Sequence, residues 1–129
     1  MKGGGLQQTF DWVEDYVELT EAEGLVLVAY EGGQHLAPLH NGMQDNQALV
    51  DLFITANRDP RISEVYKRYF DHWYSEADGL FVHFADISKP GRWGSWGALE
   101  NVYQESSPKY DALVDRAAAL RTTAAVAGS

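Results

Sequence analysis

The chain has no cysteine, which excludes disulfides, thiolate metal sites and a cysteine nucleophile together, while leaving the compartment open. It is also short of positive charge: Lys and Arg number 10 against 19 Asp and Glu, a formal net charge of −9. An acidic surface repels phosphate, so no nucleic acid and no membrane surface is expected as a partner. Long apolar runs are missing too, and nothing approaches the roughly 20 residues needed to span a bilayer. Met1-Lys2-Gly3-Gly4-Gly5 has no apolar core behind it. No secretory signal peptide is read there, residues 1–5 are expected to be a flexible start, and localisation is left unassigned.

What remains is ordinary for a soluble globular protein: 45% hydrophobic and 22% charged residues in a chain of 129. That length suits one domain. A single α/β domain is expected over 6–121, followed by a fraying tail over 122–129.

The organising stretch is Leu25-Val26-Leu27-Val28-Ala29-Tyr30-Glu31-Gly32-Gly33-Gln34-His35-Leu36. Its apolar residues run without alternation between Gly24 and Gly32-Gly33, the composition of a parallel strand covered on both faces. Chemistry in α/β folds collects at the carboxyl ends of such strands, which singles out Glu31. The two glycines are expected to let the backbone turn and to leave room beside the carboxylate for a ligand. The plain alternative is an acid that caps a helix or meets solvent.

Upstream, Leu6, Phe10, Val13 and Val17 recur at helical spacing, with Trp12, Tyr16 and Leu19 widening the stripe, so a helix is expected over about 6–23 with Gly24 as its stop. The acidic residues on that helix read as a solvated face. A loop follows the strand from His35 to Asn46. His35 and His40 lie too awkwardly spaced to share a metal without a third ligand, so no metal and no cofactor is assigned. Ala48, Leu49, Leu52, Phe53 and Ala56 mark a second helix that halts at Arg58-Asp59-Pro60. Asp59 as N-cap and Pro60 in the first turn open a third, whose Tyr66, Tyr69, Phe70 and Trp73 are expected to pack against the sheet.

A second strand is expected in Leu80-Phe81-Val82-His83-Phe84. His83 reads as a satisfied core residue, with an inward-facing site role as the alternative. Asp86 follows this strand as Glu31 follows the first; if the strands pair in parallel, both acids emerge at one edge within reach of one ligand, unless Asp86 is a turn acid. The loop Ser88-Lys89-Pro90-Gly91-Arg92-Trp93-Gly94-Ser95-Trp96-Gly97 alternates glycines with indoles. Trp93 and Trp96 are poor surface residues unless they pack or bind, and an indole at such an edge serves as a platform for a sugar face. Ser107-Pro108 opens the last helix.

The order helix, strand, two helices, strand, helix is that of an α/β protein with helical crossovers. Two strands alone leave both sheet edges open. Either copies of the chain associate as a homo-oligomer, or the chain belongs to a larger barrel of about 250 residues.

The segments Val28-Ala29-Tyr30-Glu31-Gly32-Gly33-Gln34-His35-Leu36, Ala56-Asn57-Arg58-Asp59-Pro60 and Trp93-Gly94-Ser95-Trp96-Gly97-Ala98-Leu99-Glu100 together resemble the C-terminal part of bacterial clan A glycoside hydrolases, which are (β/α)8 (TIM) barrels. The resemblance implies a partial barrel whose two parallel strands correspond to the last strands of the whole. It implies Glu31 as the nucleophile of a retaining hydrolase acting on a β-linked saccharide, and Trp93 or Trp96 as the sugar platform. His35, Asp86 and Tyr30 are lesser substrate-binding candidates. The family's acid/base glutamate comes from an earlier strand, after an asparagine, and no Asn-Glu pair occurs in this sequence. The expectation is therefore a nucleophile-bearing piece, inactive by itself, that needs the remaining barrel. The alternatives are a non-catalytic carbohydrate-binding module and a self-assembling α/β module.

Overall fold

A computed structural model describes residues 4–127. Its elements run α1 (Gly5–Ala22), β1 (Ala29–Gly32), a short 3-10 turn (Met43–Asp45), α2 (Gln47–Arg58), α3 (Ile62–Glu76), β2 (Phe81–His83) and α4 (Pro108–Ala127). The two strands pair in parallel, with Ala29 opposite Phe81 and Gly32 opposite His83. The fold is thus mixed α/β, with α-helices packed against one face of a two-stranded parallel sheet. No helix among the described residues is long and apolar enough to cross a membrane.

Local sequence explains most boundaries. At the end of α1, the Leu25 and Gly24 amides donate to the Thr20 and Glu21 carbonyls, a pairing that Gly24 permits by adopting φ +67°. Asn46 caps α2 by accepting the Leu49 amide. Ser107 caps α4: its hydroxyl accepts the Tyr110 amide at 3.0 Å and donates to the Ala98 carbonyl at 2.6 Å. The start of α3 falls later than expected, at Ile62. Asp59 spends its carboxylate on the Arg61 amide and guanidinium, so Asp59 and Pro60 form the turn before the helix. α4 continues as helix through Ala127, beyond the point where fraying is expected.

The core lies where α3 crosses the sheet and α4. Ile62, Tyr66, Phe70 and Trp73 are buried along one face of α3, the helical spacing of a core stripe. Phe81 of β2 stands edge-on to Tyr69, Phe70 and Trp73, at centroid distances of 5.4, 5.2 and 5.5 Å. The expectation that these α3 aromatics pack against the sheet is met. Edge-to-face ring pairs each add on the order of 1 kcal/mol beyond the area they bury.

The sheet itself departs from expectation. The first apolar run was expected to be a strand buried on both faces, yet only Ala29–Gly32 is strand. Leu25, Val26, Val28 and Tyr30 are 63%, 75%, 54% and 82% exposed. Leu80, Val82 and Phe84 are exposed beside them. The helices cover one face of the sheet, and nothing among the described residues covers the other. The same holds on α1: Phe10 and Val13 are buried, but Trp12, Tyr16 and Leu19, expected to widen the core stripe, face solvent.

Candidate functional site

Beyond β2 the chain folds back on itself. The Ala98 amide donates to the Ala85 carbonyl at 2.8 Å, and the Leu99 amide to the Asp86 carbonyl at 2.9 Å. This return places the Trp96 backbone beside the carboxyl end of the sheet, where the Ala85 amide donates to the Trp96 carbonyl. Gly94 makes the turn possible. It adopts φ +143°, and a Cβ there would lie 2.2 Å from Nε1 of Trp96, so the indole folds over a residue that must be glycine.

Glu31, the last side chain of β1, borders a cavity of about 250 Å³. Its other walls are Gly32, Gly33, Gln34, His35, Phe84 and Trp96. Trp96 is half-buried and anchored by rings: His35 meets it edge-on at 4.7 Å and Phe84 at 5.9 Å. A carboxylate beside a fixed indole, at the open end of parallel strands, offers one charged acceptor and one flat apolar surface. That combination suits a polyhydroxylated ring, whose C–H face stacks while its hydroxyls seek acceptors.

The structure sorts the sequence candidates. Glu31, His35 and Trp96 come together at one cavity. Trp93 does not join them; it is 65% exposed, and the Arg92 guanidinium lies 5.2 Å from its ring. Tyr30 points away on the uncovered sheet face, 82% exposed. Asp86 lines a different groove, of about 470 Å³, together with Phe81, His83, Tyr110 and Arg116. The strands do pair in parallel, but the two acids border separate cavities, so they do not form the shared pair that the strand ends suggested. Gly32 is not room for a ligand either: the Phe81 ring fills the space, and a Cβ at 32 would stand 2.2 Å from its Cζ.

Behind the cavity lies a polar network that sequence reading missed. Gln34, three residues beyond Glu31, donates through Nε2 to the Ser95 carbonyl at 2.5 Å and to Asn57 Oδ1 at 3.2 Å. Its Oε1 accepts the Leu36 amide, and its own amide donates to the Tyr66 hydroxyl. Tyr66 in turn lies 3.0 Å from His83 Nε2. His83 thus faces the helices. Burial pushes its imidazole down to about 4, with Lys109 adding to the effect and Asp86 opposing it.

Lys109 closes the network. It is fully buried, and Nζ donates to Asn57 Oδ1 at 2.6 Å and to the Trp96 carbonyl at 3.0 Å. The signals for these residues were weak but real: Asn57 continues the buried row of α2 that includes Val50, and Lys109 lies in the first turn of α4 on the row of buried Ala112. A polar residue on a core row requires a partner. Among the described residues, no group of three or more His, Asp or Glu side chains is placed to hold a metal.

No protein-family model, no curated protein and no solved structure matches this chain.

Proposed function

We propose that this chain is the nucleophile-bearing end of a retaining glycosidase barrel acting on a β-linked saccharide, with Glu31 as the attacking carboxylate and Trp96 as the sugar platform. One observation carries the reading: Glu31, at the carboxyl end of a parallel strand, shares its cavity with the half-buried Trp96. In retaining hydrolysis a carboxylate attacks the anomeric carbon while a second carboxyl group, about 5–5.5 Å away, protonates the leaving oxygen; water then releases the sugar from the first. Among the described residues, Glu31 is the sole acid bordering the cavity. The second acid and the outer wall of the site are assigned to the rest of the barrel, which would also cover the bare sheet face. Without that partner the chain is not a complete hydrolase.

The experiment separates the nucleophile from the missing acid. A 2-deoxy-2-fluoro-β-glucoside with a dinitrophenolate leaving group needs no protonation to depart, so a nucleophile alone can trap it. Incubation with the folded chain should add one fluoroglucosyl group to Glu31, read by peptide mass spectrometry, and Glu31→Gln should abolish the adduct. A folded chain that forms no adduct, or forms it elsewhere, rules the reading out.

The lone acid also favours a second reading, sugar binding without catalysis. Cellobiose would then perturb the Trp96 fluorescence of Glu31→Gln as much as that of the parent chain, and Trp96→Ala would lose the response while Trp93→Ala keeps it.

A further inference from the structure

Lys109 is a fully buried ammonium with no carboxylate as its hydrogen-bond partner among the described residues. Its acceptors are Asn57 Oδ1 at 2.6 Å, the Trp96 carbonyl at 3.0 Å and the Ser95 carbonyl at 3.4 Å. Two of these three oxygens, those of Asn57 and Ser95, are the same ones that Gln34 Nε2 engages. A burial this costly, for a charge that gains only neutral acceptors, suits a group that must hold particular backbone atoms in place. Those atoms, the Ser95 and Trp96 carbonyls, belong to the loop carrying Trp96, one wall of the Glu31 cavity. The turn through Gln34, another wall, is tied to the same point because the Gln34 side chain engages two of the same oxygens.

We propose that Lys109 is a positioning residue for the Glu31 and Trp96 site, clamping the backbone of Ser95 and Trp96, and through shared acceptors the Gln34 turn, to Asn57 at the end of α2. The purpose assigned to the clamp rests on the sugar-site reading above; its geometry does not. Lys109 touches no reacting group and acts through the placement of the indole. Loss of the ammonium lets the loop and the turn drift apart, and the ring loses its fixed angle over the cavity.

The charged and titratable groups facing Nζ come from every packed element. Tyr66 of α3 has its ring 6.0 Å away. His83 of β2 and Glu100 of the loop act on the same charge field, and Glu100 is itself paired with Arg58 of α2. Burial lowers Lys109 to about 8, with Glu100 pulling the other way. Burial lowers His83 to about 4 and raises Tyr66 far above the usual tyrosine range. Between roughly pH 6.5 and pH 9.5, therefore, Lys109 alone in this group changes charge.

The test is fluorine NMR of the whole chain labelled with 5-fluorotryptophan, the Trp96 resonance being assigned by Trp96→Phe. In the parent chain the Trp96 resonance should shift with a midpoint near pH 8, while that of Trp73, buried in the core, stays in place. In Lys109→Met the Trp96 resonance should be displaced at neutral pH and should lose the transition near pH 8. If Lys109→Met does not fold, the parent titration stands by itself, and Asn57→Ala, which removes the shared acceptor, should displace the same resonance. A Trp96 resonance that ignores both pH and substitution overturns the proposal. So does a Trp73 resonance that moves in step with it, since Lys109 would then serve the core at large. Cellobiose added to the parent chain probes the sugar reading separately: a silent Trp96 resonance would sink that reading and leave the clamp intact.

Discussion

The outer end of the Phe81 ring lies against Gly32, so close that a Cβ on residue 32 would meet Cζ at 2.2 Å and Cε2 at 2.4 Å. Phe81 cannot retreat, because Tyr69, Phe70 and Trp73 box it in from α3. Gly32→Ala is therefore an overpacking change at the joint between the sheet and its helices. It should cost about 1–3 kcal/mol, measured as a lower urea midpoint with an unchanged slope. Phe81→Leu made in the Gly32→Ala background should recover part of that loss, since it clears the space the methyl needs. A Gly32→Ala chain as stable as the parent would mean that the ring does not pack there.

Acid should loosen the same joint through His83. Burial holds its folded pKa near 4, below the value of about 6.5 for an unfolded histidine. Between those values the unfolded chain binds the extra proton, so stability is complete above about pH 6.5 and is lost as pH falls toward 4. The structural cost is plain: Nε2 faces the Tyr66 hydroxyl, and Nδ1 is buried without a hydrogen-bond partner among the described residues. Replacing His83 with Phe should flatten the stability profile over that window in urea titrations at stepped pH. An unchanged slope in that variant would assign the acid sensitivity to another group.

Lys109 makes the opposite end of the pH range informative. Its pKa falls from 10.5 to about 8 on burial, so above pH 8 the unfolded chain holds a proton that the folded chain releases. Stability should rise with pH from about 8 toward 10.5, and the cost of the buried charge is complete below 8. Between roughly pH 7 and pH 9.5 the gain should be on the order of 2 kcal/mol. The range stops there because burial raises Tyr66 and Tyr69, and their ionisation turns the trend around at higher pH. In Lys109→Met the rise should vanish, which denaturation at the two pH values would show.

The sequence made the helices legible because they depend on local pattern, and the parallel pairing legible because the order of elements puts helical crossovers between the two strands. The stripe of Ile62, Tyr66, Phe70 and Trp73 announces its own burial, and Ser107-Pro108 announces a helix start whatever lies around it. Burial of the strands was not legible in the same way. Val26, Val28 and Val82 have the composition of covered strand residues, but covering needs atoms on both sides, and among the described residues only the helix side is filled. The site was half legible. Glu31 and Trp96 could be named from a strand end and an indole in a glycine-rich loop. Which tryptophan faced the acid depended on the turn at Gly94 and the return of Ala98 onto Ala85. Asp86 looked equivalent to Glu31 by position along its strand, yet the acids border different cavities. The Gln34, Asn57 and Lys109 network joins residues far apart in the chain, and no spacing rule brings them together.

The uncovered sheet face should govern how the chain behaves in solution. Parallel strands occur with both faces covered, whereas among the described residues Val26, Tyr30, Leu80 and Val82 form an exposed apolar strip with open strand edges on either side. Such a strip either finds a partner or drives non-specific association. Light scattering on the purified chain should show a mass above that of the 14.4 kDa monomer. Tyr30→Lys with Val82→Lys places charge at the middle of the strip, away from Glu31's neighbours Trp96 and His35, and should return the mass to monomer with the helical circular dichroism unchanged. If the parent is already a stable, well-folded monomer, the strip needs no cover and the case for a larger barrel loses its structural support. If the double variant stays associated, the contact lies elsewhere, and the exposed Trp12, Tyr16 and Leu19 on α1 are the next surface to change.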